Sequence, residues 1–226
     1  MTQSSRSPSA RQTELLEAAY AYVLTHGLTD LSLRPLAAAI GSSPRVLLYL
    51  FGSKDGLVGA LLARARAEEL AMLDALRADK AGVSLAEAAT RVWHWLADPA
   101  HRDLLRLWTE AYARSLVEPS GAWGEFARQT VTDWLTVLAD YQAPARRRSR
   151  AGIAQRSAVL AVLRGALLDL LATGDVERTT AAVHGQLVAL WADRSVGCRR
   201  SAGHVTGGAG RTHGQRRTHG SRRTGS

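Results

Sequence analysis

Apolar residues recur at a spacing of three and four along nearly all of the first 194 residues of this 226-residue chain. This spacing places side chains on one face of an α-helix, whereas a half-buried β-strand needs strict alternation. The chain has only six prolines, and it has no valine- and isoleucine-rich run typical of a strand. We therefore predict an all-α protein.

Glycine and proline divide this pattern into nine predicted helices. The first ends before Gly27, and residues 143–150, with one proline and three consecutive arginines, are predicted to form a loop. The remaining eight helices are predicted at residues 33–40, 44–51, 54–78, 84–97, 99–117, 121–141, 149–172 and 175–193.

The C-terminal segment differs in composition from the rest of the chain. Residues 195–226 contain seven arginines and no acid, so most of the net charge of +9 belongs to them. Glycine, arginine, threonine and histidine repeat there with a period of six. Such a segment lacks the apolar residues for a core, and we predict a disordered basic tail. It is either a nucleic-acid-binding arm or a low-complexity stretch without a function.

Several classes of protein are not expected. No run of about 18 apolar residues occurs, and residues 1–10 lack the apolar stretch of a secretory signal, so we expect a cytoplasmic protein without a membrane contact. The single cysteine, Cys198, excludes an internal disulfide. We find no phosphate-binding glycine loop and no nucleophile motif, and we expect no enzyme, no cofactor and no metal site.

Residues 31–57 carry the strongest functional signal. Ser32 and Ser43 are predicted to cap two short helices, Pro44 falls at the first position of the second, and Gly41 supplies the tight turn between them. The inward faces are predicted to consist of Leu36, Ala37, Ile40, Val46, Leu47, Leu50 and Phe51. Two short helices joined in this way form a helix-turn-helix, whose second helix enters the major groove of DNA.

The charges of this segment favour DNA as the partner. Residues 31–54 contain Arg34, Arg45 and Lys54 and no acid. Arg45 lies in the first turn of the second helix, from which a guanidinium reaches a guanine edge. Lys54 follows a predicted N-cap serine, where its positive charge opposes the helix dipole. A phosphate bound at the same helix end would offset this repulsion. A solvated lysine at a helix start is the alternative.

The segment resembles the DNA-binding domain of the tetracycline-repressor (TetR) family. The resemblance rests on Ser-Leu-Arg-x-Leu-Ala at 32–37, on Gly41 and Ser43, on Leu-Tyr-x-Phe-Gly-Ser-Lys at 48–54, and on Leu57. Gly56 departs from the family pattern, which has an acid there. The motifs cover about residues 11–60, and the helix layout extends the likeness to about residue 194. By this resemblance the DNA-binding residues are Ser32, Arg34, Ser43, Pro44, Arg45, Tyr49 and Lys54.

The resemblance also implies a nine-helix, two-domain fold and a mode of action. The expected divisions are a flexible N-terminus (1–10), a helix-turn-helix domain (11–56), an effector-binding and dimerisation domain (57–194) and the tail (195–226). The expected function is that of a homodimeric repressor, which binds double-stranded palindromic DNA and is released by a small hydrophobic effector.

Two groups of residues in the second domain are assigned roles. Inward aromatic side chains are expected to line the effector pocket, although ordinary core packing is the alternative; they are Trp93, Trp108, Tyr112, Phe126 and Trp134. His94 and Glu110 are candidates for its polar groups, or else structural or solvent-facing. The last two helices are expected to form the dimer interface through Leu160, Leu163, Leu167, Val183, Leu187 and Leu190, unless they simply pack within one subunit.

One different function remains open from the sequence. A helical interaction protein that binds nucleic acid without sequence preference, through its basic tail, has the same composition. Truncation at Arg194 separates the two hypotheses, because only the regulator keeps sequence-specific binding without the tail.

Overall fold

The computed structural model describes residues 9–78, 81–118 and 120–202, with side chains as far as Trp191. These residues form ten α-helices and two 3-10 turns and no strand, which confirms the all-α fold. The helices are α1 (Ala10–His26), α2 (Leu33–Ala39), α3 (Pro44–Phe51), α4 (Lys54–Ala78), α5 (Leu85–Ala97), α6 (Arg102–Val117), α7 (Phe126–Asp140), α8 (Pro144–Arg147), α9 (Arg150–Thr173) and α10 (Val176–Ala202).

The helix boundaries differ from the predicted ones in four places. The predicted loop at 143–150 contains α8, a single turn that begins at a proline. The 3-10 turns at Pro99–His101 and Gly121–Trp123 precede α6 and α7, which therefore begin later than predicted. The last helix continues to Ala202, past its predicted end at 193. Residues 203–226 of the predicted tail, and residues 1–8 of the predicted flexible N-terminus, lie outside the described residues.

Serine side chains fix the starts of several helices. The Oγ atoms of Ser9 and Ser149 accept hydrogen bonds from the backbone N–H groups of Gln12 and Gly152, at 3.2 and 3.0 Å. The start of α5 has a complete capping box, in which Ser84 and Glu87 each accept from the other's backbone N–H group. These bonds satisfy amide groups that have no partner inside the helix.

Residues up to Ala189 form one compact unit, and Leu190 begins a second, of which the structure describes the end of α10. The core of the first unit lies between α4, α5, α6, α7 and α9. Its largest fully buried side chains include Trp93, Leu61, Leu105 and Leu138. The boundary predicted between residues 56 and 57 falls inside α4 and stays a prediction.

None of the helices in the described part of the chain is long and apolar enough on its own to cross a membrane. The helices α3 and α4, which meet at an angle of 70°, reach the length and apolar composition of a membrane span only when the two are counted as one segment.

Candidate DNA-binding surface and ligand cavity

The turn between α2 and α3 has the compact geometry of a helix-turn-helix. Gly41 adopts a φ of +63°, which a residue with a side chain rarely adopts. The backbone N–H of Ser42 then donates to the carbonyl of Ala37, at 2.8 Å. Ser43 caps α3 by accepting a hydrogen bond from the backbone N–H of Val46 at 3.3 Å, and Pro44 occupies the first helical position. The predicted cap and turn of the second helix are therefore found.

The start of α2 differs from the prediction. Ser32 occupies the N-cap position with extended backbone angles, but its side chain makes no capping hydrogen bond. Its exposed side chain precedes that of Arg34, which is also exposed on the first turn of the helix. The backbone carbonyl of Ser32 accepts a hydrogen bond from the N–H of Leu36 at 3.2 Å, while its side-chain hydroxyl group is not used at this helix end and is available to another molecule.

Helix α3 is anchored by a narrower apolar face than predicted. Leu47 is buried, as are Leu36 and Ala37 on α2. The prediction that Val46 faces inward is wrong, since 38% of this residue is exposed on the solvent side of the first turn. The reason is physical: one turn of so short a helix can bury only one or two side chains against its neighbours. Ile40, Leu50 and Phe51 are half-buried at the edges of that face.

The outer face of α3 and the flanking residues present unpaired cations and an aromatic ring. Arg34, Arg45 and Lys54 are exposed and have no hydrogen bond or ion pair to any residue that the structure describes. Tyr49 is 86% exposed, with a free hydroxyl group. Because the guanidinium groups and the Tyr49 hydroxyl group are exposed to water, they can remain without a protein partner at little cost. They are therefore available to bind a phosphate or a base.

The junction of α3 and α4 places a lysine at a capped helix start. The Oγ of Ser53 accepts from the backbone N–H of Gly56 at 2.9 Å, as the sequence predicts for an N-cap. Lys54 follows as the first residue of α4, and the exposed acid Asp55 is next. Asp55 offsets part of the positive charge, so a phosphate at this end would rely on the Lys54 side chain and the free N–H groups of the first turn.

A hydrogen-bonded carboxylate on α6 holds the end of α1 and the loop after it. The two carboxylate oxygens of Glu110 each lie 3.0 Å from the backbone nitrogen of Leu28. Both the backbone N–H and the hydroxyl group of Thr29 donate to the same carboxylate. Gly27 ends α1 at a φ of +79°, and an added Cβ there would lie 3.1 Å from Glu110 Oε2. Glu110 therefore binds the loop before the helix-turn-helix, which is the structural alternative that the sequence leaves open for it, and it does not line the cavity.

A second polar contact joins α1 to α4. The hydroxyl group of Tyr20 donates to Glu68 Oε2 at 2.6 Å, and Arg64 lies over the Tyr20 ring while it pairs with Glu17 at 2.8 Å. Burial and the neighbouring carboxylate raise the pKa of Tyr20, so its hydroxyl remains a donor. These contacts join α1 to the middle of the long helix α4.

A cavity of about 110 Å³ lies among α4, α5, α6, α7 and α9. Four of the five predicted aromatic residues line it: Trp108, Tyr112, Phe126 and Trp134. Five leucines complete the apolar wall, namely Leu96, Leu160, Leu163, Leu167 and Leu168. The wall is thus mainly apolar, as is usual for a site that binds a small molecule.

The polar side of the cavity contains a buried acid. Glu69 is 1% exposed, and its Oε1 accepts a hydrogen bond from Trp134 Nε1 at 2.6 Å. The hydroxyl group of Thr130 donates to its Oε2, at 3.3 Å. Burial raises the pKa of Glu69, because the charged carboxylate loses hydration, while these hydrogen bonds and the charge of Arg66 lower it by less.

An arginine lines the same cavity on α9. The Nη1 atom of Arg164 lies 3.2 Å from the hydroxyl oxygen of Tyr112, and the guanidinium stands over that ring at 4.8 Å. Its Nη2 atom is buried and has no hydrogen-bond partner. Burial lowers the pKa of Arg164, and the side chain forms no ion pair with a described residue. Arg66, in contrast, pairs with Asp133.

Trp93, which the sequence assigns to the pocket, and His94, for which a pocket or a solvent-facing role is open, both lie outside the cavity. Trp93 is fully buried, but its Nε1 donates to the hydroxyl group of Thr180 on α10 at 2.9 Å, and its ring does not line the cavity. His94 is exposed and meets His184 edge to face. Trp93 and His94 lie on the side of α5 that faces α10, whereas Leu96 lies on the cavity side.

The leucines assigned to a dimer interface are largely used within the subunit. On α9, Leu160 and Leu163 are buried, and together with Leu167 they line the cavity. On α10, Val183 and Leu187 are also buried. Leu190 belongs to the second unit. The exposed stripes of the two helices consist mainly of alanine and glycine instead, with one leucine and one valine. On α9 they are Ala161, Gly165, Leu168 and Ala172, and on α10 they are Ala181, Gly185 and Val188.

Glu69 and Arg164 are functional candidates that the sequence reading missed, although a signal was present. Each is a charged residue on an otherwise apolar face of its helix. Glu69 follows Ala65 by four residues and precedes Leu73 by four, and Arg164 lies between buried or cavity-lining leucines. A charge in such a position must be paired or must serve a site. The Glu110 contact had no comparable signal, because its partners are 81 and 82 residues distant in sequence.

Comparison with solved structures identifies the fold. A TetR transcription regulator from Haloarcula marismortui ATCC 43049 matches with a TM-score of 0.61 and 16% identity, over 78% of this chain and 95% of that chain. A TetR-like transcriptional regulator from Rhodococcus sp. RHA1 matches with a TM-score of 0.55 and 22% identity, over 85% and 99%. The multidrug binding protein EbrR, solved in complex with proflavin, matches with a TM-score of 0.55 and 27% identity, over 78% and 99%.

No protein-family model matches the chain, and no curated protein sequence matches it. The chain has the fold of the TetR family of transcriptional regulators, as the residues at 32–57 predict.

Proposed function

We propose that this protein is a DNA-binding transcriptional regulator that acts as a homodimeric repressor and is released from its operator by a small molecule. The observation that carries the proposal is the outer face of α3, where Arg45 and Tyr49 are exposed and unpaired beside a buried anchor at Leu47. A regulator acts where the DNA is, so the proposal keeps a cytoplasmic location.

The proposed division of roles follows from exposure. Arg45, Ser43 and Pro44 begin α3, and the N-terminal residues of a recognition helix are those that reach base edges. Arg34, Tyr49 and Lys54 flank this start and are proposed to contact phosphates or the neighbouring backbone. The absence of acids from residues 31–54 favours a polyanion over a neutral partner.

The proposed effector site is the cavity lined by Trp108, Tyr112, Phe126 and Trp134. Its apolar walls favour a hydrophobic ligand, and the proflavin complex of EbrR supports a flat aromatic one. Helix α6 connects this site to the DNA-binding segment, because Trp108 and Tyr112 line the cavity while Glu110 holds Leu28. An effector that moves α6 would therefore alter the position of the helix-turn-helix, and DNA and effector would favour different states of the protein.

The proposed dimer uses the exposed stripes of α9 and α10 in place of the leucines that the sequence favours. Gly165 and Gly185 leave room for close approach of a second subunit, since an added Cβ at either position would meet no atom of this chain within 4 Å. A two-fold dimer places two copies of α3 about 34–36 Å apart and calls for a palindromic operator.

Selection of genomic DNA fragments by the purified protein tests this function. The full chain and a chain truncated after Ala202, which keeps α10 whole, are compared. Enrichment of one palindromic motif by both supports a sequence-specific regulator. Enrichment of no motif by either contradicts the proposal, and unspecific retention by the full chain alone assigns nucleic-acid binding to the basic tail.

A further inference from the structure

The cavity contains an unmatched hydrogen-bond donor. Of the buried side-chain atoms without a partner in the described residues, Nη2 of Arg164 is the one that belongs to a cavity-lining residue. Its Nη1 contact with Tyr112 involves a neutral hydroxyl group, so the guanidinium charge has no carboxylate of the described residues within ion-pair distance. A buried charge in this state is costly, and a ligand that supplied an acceptor would remove that cost.

The acid in the same cavity is already supplied with partners. Each oxygen of Glu69 accepts one hydrogen bond, from Trp134 and from Thr130. Burial raises the pKa of Glu69, and the charge of Glu69 acts on Arg164 from beyond ion-pair distance. Because each of its oxygens already accepts a hydrogen bond, Glu69 offers a bound cation fewer free acceptor positions than an unpaired carboxylate would.

We propose that the cavity selects hydrophobic acids, above all aromatic carboxylates, through a charge-assisted hydrogen bond from Nη2 of Arg164 to the ligand's carboxylate. The apolar body of the ligand packs against Trp108, Phe126 and Leu163. This inference rests on the proposed effector site, and it names the chemical class of the effector. It differs from a preference for cationic dyes, in which Glu69 would be the principal charged contact.

Guanidinium and carboxylate suit each other geometrically. Two parallel N–H groups of an arginine can bind both oxygens of one carboxylate, which adds orientation as well as energy. Stacking on Tyr112 holds the guanidinium plane in place, so little further ordering is needed when the ligand binds. The ring of Tyr112 thus acts as a positioning group for Arg164.

The experiment compares three naphthalene probes of equal shape by calorimetric titration of the full chain without DNA. The probes are 2-naphthoate, the neutral 2-naphthamide and the cationic 2-naphthylmethylammonium ion. The inference requires naphthoate to bind at least about tenfold more tightly than the cation. Naphthoate that fails to saturate the protein by about 1 mM, or binds no better than the cation, overturns it.

Variants then locate the charge that matters. Arg164→Met keeps the apolar stem and should lower naphthoate affinity about tenfold, while naphthamide binding changes less than about threefold. Arg156→Met is the matched control, because it removes a half-buried arginine of the same helix that does not line the cavity. Equal losses of naphthoate affinity in Arg164→Met and Arg156→Met overturn the inference. A preference for the cationic probe that disappears in Glu69→Gln also overturns it.

Failure here is distinguishable from failure of the proposed function. DNA selection is measured without a ligand, and probe binding is measured without DNA. Selection of a palindrome without binding of naphthoate overturns only the ligand class. Binding of naphthoate through Arg164 by a protein that selects no DNA keeps the site and contradicts the regulator.

Discussion

The carboxylate of Glu110 on α6 accepts a hydrogen bond from the backbone N–H of Leu28, at 3.0 Å. This contact joins the helix that lines the cavity to the loop that precedes the helix-turn-helix. The Thr29 backbone and side chain donate to the same group, so one side chain satisfies three donors. Under the proposed function, a movement of α6 at the cavity would reach the DNA-binding segment through this contact.

Removing this carboxylate should loosen the loop. Glu110→Ala is expected to lower the free energy of unfolding by about 1–3 kcal/mol, because the variant has no acceptor for these three donors. Amide hydrogen exchange at Leu28 and Thr29 should become faster in the native state. Glu118→Ala, which removes a half-exposed acid just after the end of α6, is the control and should cost less than about 1 kcal/mol. Unchanged exchange at Leu28 would contradict the assigned role.

Arg45 should determine part of the operator sequence. Arg45→Ala is expected to weaken binding to the selected palindrome by about 1–3 kcal/mol and to relax specificity at one base position in each half-site. Arg106→Ala on α6 is the control, since this exposed arginine lies outside residues 31–54. Fluorescence anisotropy measures the affinity for the palindrome. Equal affinities of Arg45→Ala and the unchanged protein would show that α3 does not read bases as proposed.

Lys54 should contribute affinity without specificity. Lys54→Ala removes one cation per subunit from the phosphate-facing side of the protein, so all sequences should be bound more weakly by the same factor. The slope of log K against log salt should become shallower by about one for each phosphate that is no longer neutralised. Titrations at several salt concentrations measure this slope, with operator and unrelated DNA compared. An altered base preference would move Lys54 from the phosphates to the bases.

Glu69 should make stability depend on pH. Because burial raises the pKa of Glu69 in the folded state, that state binds more protons than the unfolded chain between about pH 4.3 and the folded value. The contribution of Glu69 to stability therefore falls as the pH rises through this window. Glu69→Gln removes the titration, so the variant should gain stability over the unchanged protein as pH rises.

Urea unfolding over a pH series measures this difference. Glu177→Gln, at an exposed position of α10, is the control for replacing a glutamate that is not buried. Glu69→Leu separates charge from hydrogen bonding, since it leaves Trp134 Nε1 without an acceptor and should cost about 1–3 kcal/mol. A stability of Glu69→Gln that falls relative to that of the unchanged protein as the pH rises would contradict the assignment.

The exposed stripe of α9 should control assembly. Gly165→Leu places a bulky side chain where the subunit itself has open space, so the fold should persist while a closely packed dimer is disrupted. Light scattering on a sizing column should show a shift toward monomer, and DNA affinity should fall with it. Ala113→Leu on the exposed side of α6 is the control. An unchanged dimer in Gly165→Leu would place the interface elsewhere.

The sequence alone determined the helix-turn-helix and most of the helices, although not the single turn α8 or the later starts of α6 and α7. Serine caps, glycine turns and proline at first helical positions are local signals, because a cap or a positive φ depends on a few neighbouring residues. Ser43, Gly41 and Ser53 therefore have the structural roles that the sequence predicts. The TetR-like fold followed from the same short stretch.

Tertiary packing decided which apolar surface faces which partner. Helix α9 is apolar on more than one side, so its sequence permits Leu160 and Leu163 to face either a second subunit or the interior. Packing of α5 and α7 against α9 turns these leucines toward the cavity and leaves Ala161 and Gly165 exposed. The same packing brings Glu69 and Arg164 to one cavity and Glu110 to Leu28. Contacts over such sequence distances depend on the relative orientation of whole helices, which local residue patterns do not specify.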